Sequence, residues 1–270
     1  ELTVRRRIRC HYWESHKQNN RATYSEFRQA VQFAVKFYDA FGITLDFGAH
    51  GLNPERILRY KGRSWNQLRA LLPSYNKRGK RDLWIIVVPF LTRTPYQGLG
   101  NHNLATVSFN GVKNWVERTM TALRRNFINW EQNSGMHSPR TWATNIRHDP
   151  DFCEKMINGG MTNALTIEAA HALFLIHEIG HCLNMVPKDV TIAGGDYRGD
   201  WHMVGNNAHC RWPDCMMSPE ASWDTIEKSV PKVIEARKKN ATLNYTTIPC
   251  HHCRDHLKTI DLEDIRPYRK

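Results

Sequence analysis

The segment His177-Glu178-Ile179-Gly180-His181 sets two imidazoles four residues apart, with a carboxylate directly after the first. On an α-helix, residues four apart project from one face, so His177 and His181 can grip a single ion. Zinc suits such a pair, because it takes neutral imidazole nitrogen at about 2.0–2.1 Å and needs no redox chemistry. Glu178 stands about 100° round the helix from His177, where its carboxylate reaches a water on the ion rather than the ion itself. A carboxylate so placed acts as general base: it takes the proton of a water whose oxygen attacks a carbonyl polarised by the same ion. The residue types and spacing therefore point to zinc-assisted hydrolysis of a peptide bond, with Glu178 as the catalytic group. The surrounding stretch, Ala164 to Leu183, is apolar nearly all round, with Ile167, Leu173, Phe174, Leu175, Ile176 and Ile179. Such a helix belongs in a core, where two histidines and a glutamate are costly without a partner. Gly180 fits a close backbone approach near the ion, and His171, nearly two turns before Glu178, reads as a hydrogen-bonded core histidine.

A catalytic zinc takes three protein ligands and keeps one position open. The compact spacing H-E-x-x-H-x-x-G-x-x-H would put Gly at 184 and His at 187, where this chain has Asn184 and Pro187. Asn tolerates a left-handed turn, so Asn184 can still end the helix, but Pro187 has no donor to offer. The residues alone leave His209, His202, Asp189 and Asp196 as candidates for the third ligand. Further on the chain reads Asn206-Asn207-Ala208-His209-Cys210-Arg211-Trp212-Pro213-Asp214-Cys215-Met216-Met217, and later Cys250-His251-His252-Cys253. These motifs resemble the archaemetzincins, a metzincin family of zinc peptidases whose third zinc histidine is followed directly by Cys, then x4, Cys, x, Met, and later C-x-x-C. The resemblance covers about Ala164 to Cys253. It implies that His209 completes the catalytic zinc and that Met217 is the Met-turn methionine, an apolar floor under the histidines. It also implies that Cys210, Cys215, Cys250 and Cys253 hold a second, structural zinc, so that the chain carries two ions. Pairs at x4 and x2 spacing also argue on their own for a zinc held by four thiolates. Cys10, Cys153 and Cys182 read as small core residues. His209 lies well beyond the compact position, and the extra stretch from Val186 to Gly205 is a candidate flap over the cleft. Ser218-Pro219-Glu220 and Ser229-Val230-Pro231 read as helix starts.

The elements that must position these residues follow from periodicity. Val4 to Tyr12, Ile43 to Phe47, Asp82 to Pro89 and Leu104 to Phe109 read as strands, the third apolar on both faces. Ser25 to Phe41, Ser64 to Leu72 and Val112 to Trp130 read as helices, with Gly42 as a stop signal after the first and Gly98 to Asn103 as a loop. The alternation predicts an α/β (or α+β) fold of metzincin type. A twisted mixed sheet and the active-site helix form an N-terminal subdomain over residues 1–183, and a small four-cysteine subdomain covers 184–270. An extended peptide would lie along an edge strand beside the cleft, for which Leu104 to Phe109 is the candidate.

Composition sets outer limits. With 270 residues and 41% hydrophobic content the chain can bury a sizeable core. No apolar run approaches the roughly 20 residues that span a bilayer. The first residues carry no secretory signal, which fits a cytoplasmic chain, a processed one or an excised domain. Net charge is +12, with basic clusters at Arg5–Arg7, Lys77–Arg81 and Arg237–Lys239. These read first as solvated faces, though the charge would also favour an anionic partner: an acidic protein, a membrane surface or nucleic acid. No RRM, KH or zinc-finger motif accompanies them. The expected partner is a peptide or protein substrate. The rival readings are a secreted effector or toxin domain with the same zinc chemistry, and a zinc-stabilised binding module without catalysis.

Overall fold

The computed structural model describes residues 6–16, 24–59, 61–73, 82–91, 98–101, 103–118, 163–186, 209–210, 215–217, 245, 248–260 and 262. The run Leu83–Val88 forms β4, and all six of its residues are buried because both faces are covered. Parallel to it on either side lie β1 (Arg6–His16) and β6 (Leu104–Ser108). The outer edge of β1 carries β2 (Ile43–Asp46) and then β3 (Arg56–Arg59), both parallel. β5 (Gly98–Asn101) pairs antiparallel with β6 and closes the order β2-β1-β4-β6-β5. The result is a mixed, six-stranded α/β sheet.

Alternation along the strands divides the core in two. Leu83, Ile85 and Val87 join Ile8, Cys10 and Tyr12 against helix α1 (Ser25–Asp39) and the long helix Asn163–Cys182. Trp84, Ile86 and Val88 join Trp13 and Leu58 against Trp65 and Leu68 of α2 (Trp65–Arg69). Ser64 caps α2 in a reciprocal box with Gln67. The long helix is fastened to α1 where the Tyr38 hydroxyl donates to the Ile176 carbonyl at 2.7 Å. It ends in a Schellman motif: Met185 N–H bonds Gly180 O at 2.9 Å, Asn184 N–H bonds His181 O at 3.3 Å, and Asn184 is left-handed at φ 53°.

The structure departs from the sequence expectation in four places. Gly98–Asn101 is a strand rather than a loop, so β6 is paired on both sides and the segment Leu104 to Phe109 is not a sheet edge. β1 runs on to His16, because Trp13 joins the second core and Glu14 is buried under hydrogen bonds from Tyr12 and Arg28. β3 escaped notice because only Leu58 of its four residues is buried, which leaves no alternation to read. The helix His251–Thr259, which starts at Cys250, carried too little apolar periodicity to be seen. A helical segment covers 109–118. The expected continuation to Trp130, the candidate flap, the two Ser-Pro helix starts and Cys153 lie outside the described residues.

Within the first basic cluster Arg7 is exposed, as expected of a solvated face, but Arg6 is partly buried. Its guanidinium donates to the carbonyls of Phe41 at 2.9 Å, Leu257 at 2.9 Å and Ile260 at 2.5 Å, tying β1 to the end of the helix His251–Thr259. Arg7 pairs with Asp46 at 2.8 Å. Among the described residues no helix is long and apolar enough to cross a membrane.

Candidate metal centres

The long helix delivers His177 and His181 from one face, with their Nε2 atoms 3.0 Å apart. His209 comes from the returning chain, with its ring centroid 5.3 Å from that of His177 and 4.6 Å from that of His181. The three ligand nitrogens all lie within 4.8 Å of one another. An ion held tetrahedrally at about 2.0–2.1 Å sets its nitrogens about 3.3 Å apart, so the triad needs only small adjustment to hold one. The tautomer of His177 is fixed, since Nδ1–H donates to the Met216 carbonyl at 2.6 Å and leaves the Nε2 lone pair for the centre. Burial holds the His177 imidazole below its usual pKa, with the Met216 carbonyl pulling the other way. Neutral imidazole is the form that binds metal. His202, Asp189 and Asp196 lie outside the described residues; His209 is brought to the pair as the resemblance implies.

Met217 is buried and lies against the long helix at Gly180. A Cβ added at Gly180 would stand 2.5 Å from Met217 Sδ, so the glycine makes room for the methionine. The close approach expected at Gly180 is therefore with a side chain of the returning segment. Cys210 N–H bonds the Met217 carbonyl at 2.7 Å, which ties the residue after His209 to the segment 215–217.

Glu178 is 6% exposed and packs against β5. A Cβ at Gly98 would be 2.6 Å from Glu178 Oε1, and one at Gly100 would collide with the Glu178 carbonyl oxygen. Glycine inside a strand often marks such an approach of another backbone. Burial pushes the Glu178 carboxyl up to about 8, with the Gly100 N–H drawing it partly back. Without a nearby cation it is protonated at neutral pH. A cation on the triad favours the carboxylate. His171, earlier on the same helix, is the core histidine expected from sequence, with Nε2–H donating to Phe109 O at 3.1 Å.

The second group is sulfur. Cys210, Cys215, Cys250 and Cys253 offer Sγ atoms that all lie within 4.8 Å of one another. Cys210 Sγ and Cys250 Sγ are 3.6 Å apart, close to the roughly 3.8 Å edge of a tetrahedron with metal–sulfur bonds of about 2.3 Å. Cys215 Sγ accepts from the backbone N–H of Cys250 at 3.5 Å. Hydrogen bonds from Cys210, Cys215 and Cys253 hold the Cys250 thiol below its usual pKa, while bonds to Cys215 and Cys250 push that of Cys210 up. A bound cation would favour deprotonation of these thiols. Cys10 and Cys182 are buried, as expected of small core residues.

Three features had no signal in the residue types alone: the Met216 carbonyl, the bond from His256 Nε2–H to Asn184 O at 3.1 Å, and the Arg6 tie. The Gly-x-Gly of β5 was a visible signal read as a loop. No protein-family model matches the chain, and no curated protein or solved structure matches it significantly.

Proposed function

We propose that the chain is a zinc-dependent metallopeptidase of metzincin type, resembling the archaemetzincins, with one zinc on His177, His181 and His209 and a structural zinc on Cys210, Cys215, Cys250 and Cys253. The observation that carries this reading is the convergence of three imidazoles beside Glu178 from two separate parts of the chain. Three histidines with an open fourth position are a hydrolytic donor set, whereas four thiolates close the shell. A bound zinc ion supplies Lewis acidity, acidifying a water and polarising the substrate carbonyl. His177, His181 and His209 would hold this ion, with Met217 packed against the same helix at Gly180. Glu178 would take the proton of the attacking water and pass it to the leaving amine; its buried setting favours the uptake of that proton.

The substrate is an extended peptide. Among the described residues β5 has a strand partner on one edge only, and that strand lies against Glu178. A peptide added along the other edge would have its backbone held by ladder hydrogen bonds beside the general base. Digestion of a broad peptide library, enriched in acidic sequences because of the +12 charge, tests the reading. Cleavage that depends on zinc and on Glu178 is expected; a zinc-loaded protein that cleaves nothing would leave a binding module as the better reading.

A further inference from the structure

The two donor sets are one peptide bond apart. His209 faces the triad while Cys210 faces the thiol cluster. Two more ties cross between them in the segment 215–217: Cys215 is a cluster member, the Met216 carbonyl orients His177 at 2.6 Å, and Met217 both bonds Cys210 N–H at 2.7 Å and fills the space at Gly180. The other two thiols sit on the first turn of the helix His251–Thr259, which His256 fastens to Asn184 O at the end of the histidine-bearing helix. The Met216 carbonyl that fixes the His177 tautomer, and His209 itself, thus belong to residues directly next in the chain to cluster cysteines, Cys215 and Cys210. An ion on all four sulfurs would join Cys210 and Cys215 to the closing helix more firmly than the bond from Cys250 N–H to Cys215 Sγ at 3.5 Å does alone.

We propose that the four-thiolate site is the positioning unit of the histidine triad, so that filling it sets His209 and the Met216 carbonyl in place and the two sites bind metal with positive coupling. This rests on the metal-site part of the functional reading and not on peptide hydrolysis. Outer partners of metal-binding histidines typically change affinity by about 10–100-fold. An empty thiolate site is expected to weaken the triad by a factor in that range, and by linkage a filled triad strengthens the thiolate site equally.

Cobalt(II) is the probe, because its thiolate charge-transfer and histidine ligand-field bands report the sites separately. The triad of the full chain is titrated with the thiolate site filled, and again in Cys250→Ser/Cys253→Ser, which alters the closing helix and leaves the 209–217 segment unchanged. In a second arm, folded wild-type protein is treated with an organomercurial that takes the thiolates, and the released metal and the triad affinity are followed. This arm decides the matter if the double variant does not fold. Weakening of the triad by roughly ten-fold or more in either arm supports the coupling. A triad affinity unchanged within about two-fold, with the thiolate site empty and near-ultraviolet circular dichroism intact, overturns it. Coupling without cleavage of any peptide removes the peptidase reading and leaves this one standing, while a triad that takes no cobalt even with the thiolate site filled removes both.

Discussion

Glu178 is subject to burial that favours its neutral form, while an ion on the histidine triad would favour its charge, and the proposed general base draws on both. Replacing it by Gln keeps the shape and removes the base. Glu178→Gln should retain both zinc ions by metal analysis and lose about 10²–10⁴-fold in turnover on any cleaved peptide. Wild-type turnover in that variant would remove Glu178 from the mechanism. Gly180 makes a second residue-scale test. Gly180→Ala gains up to about 1 kcal/mol of helix propensity but drives a methyl into Met217, and overpacking of this kind costs about 1–3 kcal/mol. The clash should win, lowering the denaturation midpoint, and Gly180→Ala/Met217→Ala should recover part of the loss because the two residues touch. His177, Glu178, His181 and the cysteines were legible because their chemistry is written in their side chains. The Met216 carbonyl was not, since every residue carries a carbonyl and only the fold says where it points.

At the scale of elements, periodicity served wherever a strand or helix had a consistent buried face. It located β4 and the long helix to within a residue or two, and α1 with its glycine stop at Gly42, φ +74°. It failed at β5, where two of four residues are glycines chosen for what lies over them rather than for strand propensity. Gly98→Ala should therefore impair chemistry more than stability, by displacing the Glu178 carboxylate that its Cβ would approach to 2.6 Å. The expected result is a lower kcat with two zinc ions still bound, and an unchanged kcat would show that the contact is immaterial. The long helix offers a pH test as well. Burial holds His171 at about 4, with the Phe109 carbonyl opposing, against about 6.5 in an unfolded chain. Between those values the unfolded state takes up a proton that the folded state does not, so stability falls as pH drops from about 6.5 to about 4, by about 3 kcal/mol in all. His171→Gln should flatten the slope of unfolding free energy with pH by about one proton relative to the parent, and equal slopes in the two proteins would refute the assignment.

At the scale of the whole molecule, the sequence pointed to an α/β sheet and two sets of metal ligands, and the structure has the sheet and two groups that could hold an ion. What it did not reveal is how the far end of the chain is joined to the near end. Two zinc ions per chain are expected by metal analysis, and a hydrophilic chelator should strip the open histidine site well before the closed thiolate one. Simultaneous loss would contradict different coordination shells. The Arg6 tie has a further consequence, which concerns synthesis. Arg6 bonds the carbonyl of Ile260, 254 residues away, and two of the thiols stand just ahead of that carbonyl on the same helix. At about 5–20 residues per second a ribosome needs roughly 10–50 s to connect them. Throughout that interval β1 can pair and the histidine-bearing helix can emerge, but the cluster behind His209 is still missing half its sulfur. Built in this order, the histidine triad stays without its neighbouring four-sulfur cluster until the closing helix is made.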